Sequence, residues 1–247
     1  MSRHLAAWLA LLTTLLCGTA HAGRVVNLAS TDYPPYFSSQ LPGDGAVAAI
    51  TRAALAKHGH TLQLHYRPWA RLMAEVKSGQ FDGVMAIWYE PARAEYLHYS
   101  LPLVNTVMGF YGRLDRPLAT QPLSALRTRV IGTVRGYKNP DVFDRAGLKQ
   151  ELAADDLTNL RKLAAGRLDL VLIDKVLAQY LADSLSPAER QAIRWQEPPL
   201  EVMPLHVGFR RELADGEQLL ADFNDGLQAL RKSGQLAALI RQYKLAQ

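Results

Sequence analysis

Two phrases of the chain repeat one another. Residues 78–87 read SGQFDGVMAI and residues 165–174 read AGRLDLVLID. In each, a glycine closes a helical pattern, an aspartate follows three residues later, and an apolar run then reads as a buried strand. Such a phrase belongs to an α/β unit, and two of them in 247 residues predict two units of similar build. Two units that face one another enclose a cleft. Each repeated strand ends in groups able to grip a small polar molecule: Trp88, Tyr89 and Arg93 after the first, Asp174 at the end of the second.

The first 22 residues read as an export leader rather than as part of the fold. Arg3 and His4 form a short basic start, Leu5 to Cys17 is apolar apart from two threonines, and Ala20-His21-Ala22 is a small-x-small cleavage site. The apolar stretch is shorter than the roughly 20 residues a spanning helix needs. Cys17 is the only cysteine and would leave with the leader, so disulfides are not expected to stabilise the exported chain. The net charge is +5, with both signs interleaved and no run of like charges, which gives no support to a nucleic-acid partner.

Along the chain, residues 24–29, 62–66 and 81–87 read as strands. Residues 46–58 and 68–78 read as helices, each closed by a glycine. The order β-α-β-α-β predicts a parallel sheet with helices on its faces. A second unit begins with a strand at 129–134, followed by a helix at 155–165, a strand at 168–173 and a helix at 175–184. Residues 196–204, with Pro198, Pro199 and Pro204, read as a loop. Residues 206–209 read as a last short strand, and 217–243 as helices interrupted near Ser233-Gly234. Extended stretches near Tyr111–Arg113 and Leu205–Val207 are the expected crossings between lobes. This divides the chain into lobe one, residues 23–111 and 206–247, and lobe two, residues 112–205. His58 and His60 flank a turn glycine and are expected in solvent.

No nucleophile elbow, P-loop or zinc spacing is present, so no cofactor or metal is expected. The candidates are ligand-gripping residues at strand ends, where open α/β sheets bind their ligands. Tyr33 and Tyr36, stiffened by Pro34-Pro35, can stack on a ligand or plug the core. Trp69 can wall a pocket or pack at a helix start. Arg71 can reach the ligand or form a surface ion pair. Trp88 follows the third strand. Arg93 can hold a carboxylate through two parallel hydrogen bonds, or pair with Glu90. Arg135 and Tyr137 flank a turn whose Gly136 allows close approach of the backbone to an anion. Asp174 can accept from a ligand ammonium, cap a helix, or do both.

Taken together, the segments YPPYFS, VKSGQFDGVMA, EYLHYSLP, IGTVRGY, GRLDLVLIDKVLAQYL and the closing GFRRELADGEQLLADFNDGLQALRKSGQLAALIRQY resemble the periplasmic solute-binding proteins of family 3, the polar amino-acid type of ABC transporters. The resemblance runs from Gly23 to Tyr243. It implies a two-lobed periplasmic-binding-protein fold (type II), each lobe a mixed sheet flanked by helices with the ligand cleft between them. It also implies a periplasmic, non-enzymatic function: capture of a small polar solute, an amino acid or related zwitterion, by a monomer serving an ABC-type inner-membrane permease or a sensor input domain. By this resemblance Arg93 holds the ligand carboxylate, Asp174 its ammonium, and Tyr33 stacks on it. The segment MAIWYEPAR departs from the family, with Trp88 and Tyr89 where small hydroxyl residues are usual. Tyr137 likewise replaces a small residue, and the pocket is expected to be unusually aromatic. The alternative implied by the same fold is a cyclohexadienyl (prephenate or arogenate) dehydratase.

Overall fold

The computed structural model describes residues 23–245, so the leader expected over 1–22 lies outside the described residues. The first unit is β1 (Val25–Ser30), α1 (Ala46–Ala56), β2 (Thr61–Tyr66), α2 (Trp69–Lys77) and β3 (Gly83–Trp88). A short helix α3 (Pro91–Ala94) and strands β4 (Leu97–Tyr99) and β5 (Asn105–Arg113) follow. The second unit is β6 (Ile131–Val134), α4 (Asp141–Arg145), β7 (Gln150–Ala153), α5 (Asp156–Ala164), β8 (Leu170–Asp174) and α6 (Lys175–Leu181). Helix α7 (Pro187–Ala192), the long strand β9 (Ile193–Arg210) and helices α8 (Gly216–Lys232) and α9 (Gln235–Gln242) complete the chain.

The strands lie in the order β2-β1-β3-β9-β5-β8-β6-β7, with β4 also on β9. The two units repeat in three dimensions as they do in sequence. In the first, β1 pairs in parallel with β2 and β3; in the second, β6 pairs in parallel with β7 and β8. The antiparallel pairs are those that β9 makes with β3, β4 and β5, and that β5 makes with β8. The mixed α/β expectation is met.

The repeated aspartates do the same work in both units. Asp82 donates its backbone N–H to Asn27 O (2.8 Å), and its carboxylate accepts from Asn27 N–H (2.7 Å). Asp169 makes the same pair with Val130, at 3.0 and 2.8 Å. Each aspartate thus pins the first strand of its unit beside the third. The glycines before them, Gly79 (φ +89°) and Gly166 (φ +73°), take the left-handed turn that ends the preceding helix. Asp82 also holds Arg24 at 2.8 Å. Asp82→Ala is therefore expected to lower unfolding free energy by about 2 kcal/mol, measured by urea denaturation. Wild-type stability would show that this clamp contributes nothing.

Several expectations are corrected here. Residues 196–204 are strand, not loop. The prolines escape the usual exclusion because the β5–β9 register shifts between the Met108–Glu201 and Phe110–Gln196 pairs, and Pro198 and Pro199 fall in that irregularity. The last strand is 18 residues long rather than four, and it joins the ladders of both units. Strand β5 pairs with β8 and with Ile193–Pro204 of β9. His60 is buried, not solvated. Its Nε2 lies 3.0 Å from Asp222 of α8, and its Nδ1 accepts from Arg24 N–H at 3.2 Å.

Strand β3 carries an irregularity that matters for the site. Its register against β9 shifts between Val84 and Ile87, and Ala86 adopts φ +63°, a conformation that costs a residue with a Cβ. A regular strand points successive side chains to opposite faces. The bulge re-aims the strand end so that Ala86, Ile87 and Trp88 all border one cavity.

Candidate functional site

The cavity lies where the strand ends of the two units meet. From the first unit comes the loop after β1. Asp32 accepts from Ser39 N–H and from the Ser38 hydroxyl, both at 2.8 Å, and so closes the loop. Tyr33 and Phe37 exchange backbone hydrogen bonds across it and stack at 5.7 Å with their planes 24° apart. Trp88 meets the edge of Tyr33 at 6.0 Å, and its Nε1–H donates to Thr106 Oγ1 at 3.0 Å. From the second unit comes Tyr137, 6.4 Å from Tyr33, 6.3 Å from Trp88 and 6.1 Å from Trp69. Trp69 Nε1–H donates to Gly136 O at 2.8 Å, another contact between the units. The rings leave a cavity of about 30 Å³, room for a water molecule or two.

The charged groups at the cavity are Arg93 and Lys138. Arg93 Nε lies 2.8 Å from Glu90 Oε2, and its guanidinium sits 5.2 Å from the Trp69 ring. Among the described residues its two terminal nitrogens have no hydrogen-bond partner, which leaves the fork that suits a carboxylate. Lys138 is tied to Asp141 and lies 3.6 Å from Asp144. Outside the rings a groove of about 790 Å³ continues past Arg93 to Arg135 and Lys77.

Asp174 is fully buried and does not border the cavity. It caps α6 by accepting from Leu177 N–H (2.8 Å), and it also accepts from Val107 N–H (2.8 Å). The Tyr36 hydroxyl lies 3.1 Å from both of its oxygens. Burial and the neighbouring Asp174 push the Tyr36 phenol far above its ordinary range, so it stays protonated and donates. Burial also raises the Asp174 carboxyl, against the pull of its donors.

Asp156 is the group that reading the sequence missed. It follows the α5 cap Asp155, and looks there like an ordinary first-turn acid. It is in fact buried, and desolvation, then Asp155 and Asp174, push its pKa up to about 7. An acid raised in the folded state binds more protons folded than unfolded between its two pKa values. Stability therefore falls as pH rises from about 4 through 7, and the loss is complete above that. The melting temperature is expected to fall between pH 5 and pH 8, and Asp156→Asn to flatten much of that slope. An equal slope in the variant would contradict this assignment.

The structure thus brings Tyr33, Trp69, Trp88, Arg93 and Tyr137 together around one cavity. Tyr36 and Asp174 lie behind it and bind each other. Two expected site residues do not join. Arg71 pairs with Glu75 one turn along α2 and is two-thirds exposed, at 66%. Arg135 is exposed and borders only the outer groove, because the turn at Gly136 points it outward. The close approach that Gly136 permits is taken by Trp69. Tyr89 is half exposed and packs on Tyr99 at 5.0 Å. Thr31 borders the cavity and was not singled out; Lys138 of the Arg135–Lys138 turn borders it too. Lys138 was legible as the next residue of the same turn.

The family model of bacterial extracellular solute-binding proteins, family 3, matches residues 26–246. Among curated proteins, no sequence matches the chain. Solved structures share the fold. A histidine kinase sensor domain with similarity to periplasmic binding proteins is 25% identical, with a TM-score of 0.78 over 90% of this chain and 96% of that one. The GluR0 ligand-binding core from Nostoc punctiforme, in complex with L-glutamate, is 15% identical, with a TM-score of 0.73 over 88% and 98%. The ancestral amino acid-binding protein AncCDT-1, a precursor of cyclohexadienyl dehydratase, is 17% identical, with a TM-score of 0.70 over 89% and 94%.

Proposed function

Because the chain belongs to the bacterial extracellular solute-binding proteins, family 3, we propose that it captures a small carboxylate-bearing solute in the periplasm, as a monomer exported through its leader. It hands the solute to an ABC-type permease or to the input region of a sensor. The observation that carries this reading is Arg93, whose free guanidinium fork borders a cavity walled by aromatic rings from both units. The similar GluR0 ligand-binding core holds L-glutamate, and the position of Arg93 at the cavity supports a grip on a solute carboxylate. The strand pairings support two lobes joined near Val104–Asn105 and Pro204–Leu205, several residues before the crossing expected at Tyr111. Solute exchange then proceeds by parting and closing of the lobes. No helix among the described residues is long and apolar enough to cross a membrane.

A thermal-shift screen over amino acids, amines, peptides and organic acids tests this. A solute at one hundred times its dissociation constant stabilises by roughly 2.7 kcal/mol, equivalent to several degrees. A protein that responds to no solute on that panel is not a solute-binding protein of this kind.

One observation favours a second reading. A buried carboxyl held near pH 7 is what a general acid needs, and Asp156 is such a group. A dehydratase acting on prephenate or arogenate would use it. Binding remains the preferred function because Asp156 does not border the cavity. Prephenate incubated with the protein is expected to yield no aromatic product above the uncatalysed rate, and enzymatic formation of that product would reverse the choice.

A further inference from the structure

The charges of the solute follow from what the cavity offers it. Protein donors reach both oxygens of Asp174. Leu177 N–H reaches Oδ1 and Val107 N–H reaches Oδ2, while the Tyr36 hydroxyl sits across both oxygens. A carboxylate has about four acceptor positions, and these three donors occupy it where no solvent reaches. Tyr36 and Asp174 come from different units, so in the closed form an ammonium on Asp174 would keep Tyr36 from it and leave that hydroxyl buried without this acceptor. At the cavity itself the charged groups are both cations, Arg93 and Lys138. In the adjoining groove Arg135 and Lys77 add two more, and its acid, Glu90, is tied to Arg93. The walls are aromatic rings set edge to face, so an aromatic body can meet one ring by its face and another by its edge.

We propose that the solute is a small carboxylate anion with a flat apolar body, bound without an ammonium contact, and that Tyr36 sets this selectivity by covering Asp174. The proposal rests on the reading of this cavity as the solute site. Binding of anions is then a matter of Arg93, since Lys138 is already paired with Asp141, and rejection of zwitterions a matter of one phenol.

Three probes sharing one aromatic body separate the charges: 3-phenylpropionate, L-phenylalanine and phenethylamine. Isothermal titration of the wild-type protein is expected to rank 3-phenylpropionate at least about tenfold tighter than phenylalanine, with phenethylamine silent. Tyr36→Phe uncovers Asp174 and is expected to shift the ratio towards phenylalanine by about tenfold. Circular dichroism checks that the variant is folded; if it is not, the wild-type ranking decides. Wild-type protein that binds phenylalanine as tightly as 3-phenylpropionate, or that binds phenethylamine, overturns the proposal. An unchanged ratio in folded Tyr36→Phe overturns the role of Tyr36. If all three probes are silent while another solute of the thermal-shift panel binds, this solute class is wrong but solute binding stands. If nothing on the panel binds, solute binding itself falls.

Discussion

Replacing Arg93 by alanine is expected to weaken binding of any carboxylate solute by roughly 30-fold or more. The side chain is 11% exposed, so a carboxylate meeting it does so largely out of water, where charge-assisted pairing is strong. Without the guanidinium, the solute's charge is left beside aromatic faces. Lys138 compensates little, since its ammonium is already tied to Asp141. Arg93→Lys keeps the charge but loses the planar fork, and is expected to fall between the two. The fold is expected to survive these changes, because the ion pair with Glu90 and the contact with Trp69 are local and contribute about 1–2 kcal/mol each at this low exposure, less together than the roughly 5–15 kcal/mol that holds a domain folded. Titration calorimetry on both variants measures the effect. Wild-type affinity in Arg93→Ala would leave the guanidinium a purely structural partner of Glu90.

Asp174→Ala is expected to act first on stability. It strips acceptors from the N–H groups of Val107 and Leu177 and from the Tyr36 hydroxyl, the last two buried and the first part-buried. Three orphaned donors outweigh the relief of removing a carboxyl that burial disfavours. A loss of about 3–5 kcal/mol is expected, or roughly 10 °C in melting temperature. The bond to Tyr36 also joins the two units, so unfolding should begin with their separation. A melting temperature within a degree or two of wild type would mean that these donors find other partners.

The fold was legible where one local signal had one outcome. The repeated G-x-x-D phrases marked the third strand of each unit because a left-handed glycine and a strand-pinning aspartate recur at one spacing. Helix α8 and the break at Gly234 followed from apolar spacing and a glycine. Strand β9 was not legible, since prolines argue against strand unless the register shift beneath them is known. Strand β7 and helix α7 are too short to show a period, at four and six residues.

Legibility of the site divides in the same way. Tyr33, Trp69, Trp88, Arg93 and Tyr137 were found because each lies at a strand end or within five residues after one, and strand ends converge in this architecture. Arg71 and Arg135 follow strands too, but a long side chain can turn back to its own helix or out to solvent, and no local pattern says which. Asp174 was found with two open roles, and the structure fills it with protein donors. The burial of Asp156 and of His60 depends on what packs over them from distant segments, as with Asp222 on His60, and that is invisible in local sequence.

A crystal structure of the protein with the solute that gives the largest thermal shift tests the central claim most directly. The solute is predicted between Tyr33, Trp88 and Tyr137, with its carboxylate on the two terminal nitrogens of Arg93 and Tyr36 still bonded to Asp174. A solute bound elsewhere, or one whose carboxylate lies away from Arg93, would contradict the account.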